Sequence, residues 1–152
     1  MTNDPRISLR VEKVLSAANE EAARLHHEYV GTEHLLLALV ADGEGIAVAA
    51  LRNLGVDLTL VRTKIETAIT RGASSVPPSV TRPLTSRAKR AFELAGEAAH
   101  SMGHTYLGTE HLLLGLMAES KNIAAQILAS LGTKVDATRT EIQRLLGPLP
   151  QR

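Results

Sequence analysis

Apolar residues recur every three to four positions along most of the chain, and this periodicity is typical of amphipathic helices. The first stripe comprises Val11, Val14, Leu15, Ala18, Ala22 and Leu25. Ser8 precedes it in the position of an N-cap, the residue that begins a helix. No segment alternates apolar and polar residues over a useful length, as a half-buried strand does. The pattern therefore predicts an all-α protein.

The whole pattern returns 77 positions later in the chain. The phrase YVGTEHLLLALV at 29–40 becomes YLGTEHLLLGLM at 106–117, and matched residues extend far to either side. This period is longer than that of the common solenoid repeats, so it indicates a tandem duplication of one small unit. We predict a first repeat at 6–71, a linker at 72–83 and a second repeat at 84–147, with one shared core.

Each repeat is predicted to form four helices. The second helix of each begins at Thr32 or Thr109, which follow a glycine and are good N-cap residues. The third is short and ends before Gly55 or Gly132, because glycine favours the conformation that stops a helix. The linker GASSVPPSVTRP contains three prolines and cannot be helical throughout. These features predict two tandem four-helix repeats, packed as a pseudo-twofold single domain.

Composition narrows the class of protein. Of the 152 residues, 44% are hydrophobic and only 2% are aromatic, so the core consists of Leu, Ile, Val and Ala. A formal net charge of +1 and the scarcity of aromatic rings argue against a general nucleic-acid binder. Without cysteine there is no disulfide and no thiolate zinc site. MTNDPR lacks the apolar stretch of a signal peptide, and no apolar run approaches the ~18 residues of a membrane span, so we expect a soluble, cytoplasmic protein without a membrane partner.

The histidines and the catalytic motifs offer little support for an enzyme. In HEYVGTEH, five residues separate Glu28 from His34, whereas the zincin motif has two, so we expect no metal site. We expect instead that His34 and His111 lie partly buried in the second helices, each with a ring N–H bonded to the backbone. There is no phosphate-binding Gly-Lys-Ser/Thr loop, no Gly-x-Ser-x-Gly elbow and no cysteine nucleophile. The sequence therefore predicts a protein that is not an enzyme and uses no cofactor.

Glu33 and Glu110 occupy the same place in the two copies of the phrase and allow two interpretations. A carboxylate in the first turn of a helix is stabilised by the helix dipole by ~0.3–1 kcal/mol, which explains an acidic residue there. A carboxylate can also bind a cationic partner, best of all a guanidinium, through two hydrogen bonds. The spacing alone leaves both interpretations open.

Basic residues collect near the first helix of each repeat. They are Arg6, Arg10 and Lys13 in the first repeat, and Arg82, Arg87, Lys89 and Arg90 in the second. Such charges are usually a solvated face, but the free N–H groups of a helix start and the hydroxyl of Ser8 or Thr85 together also make an anion site. Should the fold bring that start near Glu33, one pocket would have an acidic and a basic half. Such a pocket suits a ligand that carries both charges.

The repeated phrase, the GEGIA at 43–47 and the Leu-Gly pairs at 54–55 and 131–132 resemble the duplicated Clp N-terminal domain, in particular that of the ClpC-type AAA+ unfoldases. The resemblance extends from about Arg6 to Leu146. It implies an all-α, non-enzymatic module of the Clp protease system, with substrate proteins, adaptor proteins and Clp unfoldase or protease components as partners.

The resemblance also implies a ligand and the residues that bind it. It implies a phosphoarginine receptor with two sites, in which the glutamate of each phrase binds the guanidinium and the start of the first helix binds the phosphate. Carried over by position, the site residues are grouped within each repeat: Glu33 with Ser8 and Arg10, and Glu110 with Thr85 and Arg87.

The sequence departs from the family pattern in three places. The segment 119–122 reads Glu-Ser-Lys-Asn, where the family usually has a Gly-Glu-Gly turn, and Ser8 stands where threonine is usual. The residues before Arg6 lack the phenylalanine that is common near the start of ClpC chains. In actinobacterial members that region helps to bind cyclic-peptide antibiotics, so the resemblance leaves these partners open.

Two settings and a second class of function also stay open. The chain is either a free-standing Clp-N protein, acting as an adaptor, competitor or decoy, or the N-domain of a longer ClpC-like unfoldase. The start MTNDPR and the drift between the copies favour the first setting. The alternative function is a helical protein-docking module without phosphoarginine binding, in which Glu33 and Glu110 are only first-turn acids.

Overall fold

Eight helices and two very short strands form residues 6–147, the part of the chain that the computed structural model describes. In chain order the elements are β1 (Arg6–Ile7), α1 (Leu9–Arg24), α2 (Thr32–Asp42), α3 (Ile46–Asn53), α4 (Leu58–Ala68), α5 (Ser86–Ser101), β2 (Tyr106–Leu107), α6 (Thr109–Ala118), α7 (Ile123–Ser130) and α8 (Val135–Leu146). The predicted all-α class, with four helices in each repeat, is confirmed. The segment before Arg6, on which the expectation about cyclic-peptide antibiotics rests, lies outside the described residues.

The first helix of each repeat begins as the sequence predicts. Ser8 Oγ accepts a hydrogen bond from the Val11 N–H at 3.2 Å, and Thr85 Oγ1 accepts one from the Ala88 N–H at 3.1 Å. Each hydroxyl satisfies an N–H group that a helix start leaves without an intrahelical partner. The apolar stripe behind each cap is buried in the core.

α2 and α6 lie at the centre of the fold and are apolar on nearly every side. Four leucines of each are almost fully buried: Leu35, Leu36, Leu37 and Leu39 in α2, and Leu112, Leu113, Leu114 and Leu116 in α6. Within the repeats, α1 packs against α2 and α5 packs against α6. The third helices both contact the opposite repeat: α3 packs on α6 and α8, and α7 packs on α2 and α4 as well as on its own α6. Neither repeat therefore completes its core alone.

No single helix among the described residues is long and apolar enough to cross a membrane. Within residues 6–147, α2 and α3 taken together are the one pair that reaches the length and hydropathy of a span, and a bend of 84° separates them.

The starts of α1 and α5 also cross to the opposite repeat. β1 pairs in parallel with β2, and a single parallel bridge joins Val30 to Leu84. The Ser8 N–H donates to Leu107 O at 3.0 Å, and the Thr85 N–H donates to Val30 O at 2.9 Å. The sequence did not predict these strands, because two residues are too few to show the alternation that reveals a strand.

The segment 72–83 contains no helix, as its three prolines predict, and the side chain of Arg82 bonds it to the first repeat. The guanidinium of Arg82 donates hydrogen bonds to the carbonyl oxygens of His27, Val76, Pro77 and Val80. Arg82 is only 4% exposed, so these carbonyl dipoles compensate a buried charge. Grouping Arg82 with a basic surface was therefore wrong, and its role is structural.

The turns that lead into α3 and α7 differ between the repeats. Gly43 follows α2 with a φ of 69°, and Gly45 precedes α3 with a φ of 98°, in the left-handed region that favours glycine. In the second repeat Asn122 takes the place of Gly45. Its Oδ1 accepts the Ala125 N–H at 2.7 Å, and its Nδ2 donates to Leu116 O at 2.8 Å. The first turn thus depends on backbone freedom and the second on a buried side chain.

Candidate functional site

Glu33 lines an open groove that also contains the start of α5. The groove has a volume of about 490 Å³ and is lined by Tyr29, Thr32, Glu33, Thr85, Ser86, Arg87, Lys121 and Ile123. We call it the Glu33 groove. Its carboxylate comes from the first repeat, whereas Thr85 and Arg87 come from the second. Ser8 and Arg10, which the resemblance groups with Glu33, do not line this groove.

The crossed helix starts explain how the Glu33 groove forms. The bridge between Val30 and Leu84 anchors the start of α5 beside the segment that enters α2. Thr32 Oγ1 accepts the Ala124 N–H at 3.5 Å, which brings the start of α7 to the same place. Thr32 was expected to cap its own helix. Instead Gly31 is the N-cap, and the Thr32 side chain connects to the opposite repeat.

The Glu110 site is built in the same way with the repeats exchanged. The pairing of β1 with β2 places Ser8 beside the segment that enters α6. Arg10 lies across the turn before α3, since a Cβ on Gly45 would be 2.8 Å from Arg10 Cδ and 3.1 Å from Thr109 Oγ1. Ser8 and Arg10 therefore lie beside the segment that leads into Glu110. Each site combines the glutamate of one repeat with the helix start of the other.

The glycine two positions before each glutamate lets the carboxylate fold back over its own helix start. A Cβ on Gly31 would collide with Glu33 Oε1, and a Cβ on Gly108 would collide with Glu110 Oε1. Each carboxylate therefore lies at the N-terminal end of its helix, where the helix dipole stabilises negative charge. This geometry is compatible with a first-turn acid and with a carboxylate that faces a ligand.

The two carboxylates differ in their access to solvent. Glu110 is 3% exposed, and its Oε2 accepts the Tyr106 O–H at 2.7 Å. Burial, together with the hydrogen bond to Glu110, raises the pKa of Tyr106 well above its ordinary range, so the phenol remains a donor. Glu33 is only half-buried, and the matching Tyr29 is 39% exposed and lines the Glu33 groove. The open carboxylate is therefore that of Glu33.

A pair of histidines supports the helix start behind Glu33. The Gly31 N–H donates to His34 Nδ1 at 2.9 Å, so the proton of neutral His34 lies on Nε2. His34 Nε2 lies 2.7 Å from His27 Nδ1, and His27 Nε2 lies 2.7 Å from Thr70 O. The expected bond from the His34 ring N–H to the backbone was wrong. The ring accepts a hydrogen bond from the backbone and donates its proton to His27.

The second repeat contains the same arrangement. The Gly108 N–H donates to His111 Nδ1 at 2.9 Å, and His111 Nε2 lies 2.7 Å from His104 Nδ1, so the expectation for His111 is corrected in the same way. Burial, and then the neighbouring histidine, lowers the pKa of His34 and of His111 to about 4. Across residues 6–147 no three His, Cys, Asp or Glu side chains are grouped as metal ligands. The histidine pairs hold helix starts in place.

Both arginines that were predicted to bind phosphate are engaged in ion pairs. Arg87 Nη1 lies 2.8 Å from Glu119 Oε1, and Arg10 Nη1 lies 2.8 Å from Asp42 Oδ2. These side chains are all partly exposed, and ion pairs of this kind contribute little to stability. A guanidinium held so loosely remains able to bind an anion from solution.

Sequence reasoning missed several residues of the Glu33 groove. Tyr29 carried a usable signal, because it belongs to the repeated phrase and lies four residues before Glu33. Lys121 carried none beyond the departure of its turn from the family pattern. It reaches the groove only because α7 packs on the opposite repeat, which no local pattern shows.

Comparison with known proteins agrees with this fold. The family model described as the Clp repeat (R) N-terminal domain matches residues 6–131 and 97–152. An ATP-dependent Clp protease ATP-binding subunit ClpA homolog from Guillardia theta is 46% identical over 142 residues. These residues are 93% of this chain but only 17% of that protein, so the chain spans a small part of its relative.

Solved structures share the architecture. The crystal structure of the N-terminal domain of the caseinolytic protease associated chaperone ClpD from Arabidopsis thaliana matches with a TM-score of 0.69 and 26% identity, covering 93% of this chain and 96% of that one. A complex of a ClpV N-domain with VipB peptide matches with a TM-score of 0.72 and 15% identity, covering 96% and 94%. On the strength of the family model and the similarity to the ClpA homolog, this chain belongs to the Clp repeat N-terminal domain family.

Proposed function

We propose that this chain is a non-enzymatic binding module of the Clp protease system that recognises proteins marked with phosphoarginine. One observation carries the proposal. The crossed helix starts bring the half-buried carboxylate of Glu33 into one groove with Thr85, Arg87 and Lys121. A groove with one acidic and one basic half suits a ligand whose guanidinium bears a phosphate.

The acidic half of the groove would bind the guanidinium of the ligand. A carboxylate binds a guanidinium through two parallel charge-assisted hydrogen bonds, which are stronger than bonds between neutral groups. Glu33 lies at the groove wall beside Tyr29, whose ring is stacked on His27 with centroids 5.3 Å apart. The stacked ring supplies a flat surface against which a planar guanidinium packs.

The basic half of the groove would bind the phosphate of the ligand. Ser86 and Arg87 open α5, so their backbone N–H groups have no intrahelical partner and are donors for an anion. The Thr85 hydroxyl accepts the Ala88 N–H and therefore keeps its own proton for a further hydrogen bond. Arg87 and Lys121 add positive charge at the same end of the groove.

The setting of the module is part of the proposal. A free-standing cytoplasmic protein would act as an adaptor, competitor or decoy for marked proteins, and an N-domain would deliver them to an attached unfoldase. The relative from Guillardia theta, of which the chain spans 17%, is an ATP-binding subunit. In either setting the proposed contribution of this chain is binding and not catalysis.

The test is calorimetric titration of the chain with free phosphoarginine, beside unmodified arginine and inorganic phosphate. We expect heat with phosphoarginine alone, and its loss in the double variant Glu33→Gln, Glu110→Gln, because the lost charge-assisted hydrogen bonds weaken binding about tenfold or more. The matched control is Glu28→Gln, which removes an exposed carboxylate outside the lining of the groove. A folded wild-type chain that gives no heat contradicts the proposal.

A second candidate function is the docking of helical proteins without phosphoarginine. Two observations favour it: Arg10 and Arg87 already have carboxylate partners, and Leu9 is 78% exposed at the start of α1. In that case the wild-type chain gives no heat with phosphoarginine, and Leu9→Ser weakens binding of an unmodified adaptor or substrate while Glu33→Gln leaves it unchanged. Cyclic-peptide antibiotics remain a separate class of ligand to titrate, since the segment that bears on them precedes Arg6.

A further inference from the structure

We propose that the two sites are not equivalent: the Glu33 groove is the principal site for the anionic ligand, Lys121 determines this preference, and Tyr106 keeps the Glu110 site closed. This inference rests on the proposed function and adds which site does the binding. It starts from residues that occupy matched positions in the two repeats but lie in different surroundings.

The first difference concerns the carboxylates. To bind a guanidinium through two hydrogen bonds, a carboxylate must present both oxygens. Glu110 is 3% exposed, and the Tyr106 hydroxyl occupies its Oε2 at 2.7 Å. In the Glu33 groove Tyr29 is 39% exposed and forms part of the wall. A ligand enters the Glu33 groove directly, but at Glu110 it must first displace the half-buried Tyr106 from the carboxylate.

The second difference concerns charge. Lys121 is exposed and lines the Glu33 groove, and its matched residue in the first repeat is Glu44. Around the Glu33 groove two cations, Arg87 and Lys121, stand with two carboxylates, Glu33 and Glu119. Exchanging Lys121 for its counterpart therefore changes the charge that a phosphate group meets.

Around the Glu110 site carboxylates outnumber cations. One cation, Arg10, lies 2.8 Å from Asp42 Oδ2 and 3.5 Å from Glu44 Oε2, so it stands with three carboxylates when Glu110 is included. A phosphate brings negative charge and is repelled where carboxylates outnumber cations. The Glu33 groove is thus the electrostatically favoured site.

The third difference explains why Lys121 is available. Asn122 is 1% exposed and anchors the turn before α7 through its hydrogen bonds to Ala125 and Leu116, so the neighbouring Lys121 projects from a fixed position. In the first repeat Arg10 occupies the corresponding space over Gly45. The turn before α7 therefore adds a cation to the opposite repeat's groove, whereas the turn before α3 adds a carboxylate.

The test is titration of the full chain with free phosphoarginine, read as stoichiometry and affinity. We expect one tight equivalent and a second that is at least tenfold weaker. Glu33→Gln should remove the tight equivalent, and Glu110→Gln should leave it. Lys121→Glu should weaken it about tenfold or more, because the change reverses a charge beside the phosphate. The matched control is Lys89→Glu, the same charge reversal at an exposed position of α5 outside the groove lining.

Tyr106→Phe provides the complementary measurement, since it removes the bond to Glu110 while the Glu33 groove stays intact. We expect the weak equivalent to tighten severalfold. Two equal sites in the wild type, or equal effects of Lys121→Glu and Lys89→Glu, would overturn the inference while the proposed function stands. A folded wild-type chain without any binding overturns both, so the two failures are distinguishable.

Discussion

The two repeats agree in the chemistry beneath their glutamates and differ in the turns around them. In both, a histidine accepts the N–H of the glycine that precedes the second helix, at 2.9 Å. The turns diverge, because Gly45 enters α3 with a φ of 98° while Asn122 enters α7 through hydrogen bonds of its side chain. Within this duplicated fold, the hydrogen bond beneath each glutamate is kept, and the turns around the glutamates vary.

The variation has a chemical result. The residue just before the turn residue changes between the repeats. That residue is Glu44 in one repeat and Lys121 in the other. Residues of opposite charge therefore stand beside the two sites.

Acidification should destabilise both repeats together, and this is the largest expected effect on stability. The pKa of His34 and of His111 is about 4 in the fold, against about 6.5 in an unfolded chain. Between these values the unfolded chain binds more protons, so stability is complete above about pH 6.5 and falls as the pH drops towards 4. At pH 5 we expect a loss of roughly 1–2 kcal/mol per histidine, measured by urea unfolding at pH 7 and pH 5.

The histidine variants show whether the repeats share this property. His34→Gln and His111→Gln should each remove about half of the difference between pH 7 and pH 5. The exposed His100 provides the control substitution, since His100→Gln removes an imidazole near the end of α5 and away from both helix starts. Equal pH dependence in all variants would contradict the assignment to the two helix starts.

Asn122→Ala should destabilise the turn before α7 and leave the turn before α3 intact. The change removes a helix cap and leaves Leu116 O without its donor, so we expect a loss of about 2 kcal/mol. For a chain of this size this corresponds to a fall in Tm of about 4–8 °C, measured by thermal unfolding.

The matched variants sharpen this comparison of the turns. Ser120→Ala, at an exposed neighbouring position, should leave the Tm unchanged. Gly45→Asn, which copies the second turn into the first, should lower it, because Gly45 has a φ of 98° and its Cβ would meet Arg10. A gain in stability from Gly45→Asn would show that the two turns are interchangeable.

Tyr106→Phe should have the smallest effect and compares the two carboxylates directly. Loss of the hydrogen bond to Glu110 should lower the free energy of unfolding by about 1 kcal/mol. Tyr29→Phe is the control and should change it by a few tenths at most, since Tyr29 is 39% exposed. Chemical denaturation of both variants measures the difference, and equal losses would count against the distinction between an open and a closed glutamate.

The helices could be predicted because their signals are local. The apolar stripe, the caps Ser8 and Thr85, and the stops at Gly55 and Gly132 each involve neighbours along the chain, and the structure has all of them. The glycine before each glutamate was visible as part of the phrase. Its reason, space for the carboxylate, appears only in three dimensions.

The grouping of the site could not be predicted, because periodicity shows which face of a helix is buried but not which repeat covers it. Carrying the family's residues over by position places Glu33 with Ser8 of the same repeat. In the structure, the bridge between Val30 and Leu84 brings Thr85 of the other repeat to Glu33 instead. The burial of Arg82 could not be predicted for a similar reason. Its sequence neighbours are polar, yet the fold surrounds it with carbonyl oxygens.

The crossing of the two repeats also has a consequence for the order in which the protein is made. Glu33 leaves the ribosome early, but its groove needs Thr85 and the turn that carries Lys121, which are synthesised much later. The Glu110 site likewise cannot form until Glu110 has been synthesised, although Ser8 and Arg10 emerge from the ribosome first. A nascent or truncated chain that stops after the first repeat therefore presents neither site. A chain that presents either site has therefore been translated through both copies, and the two copies have docked.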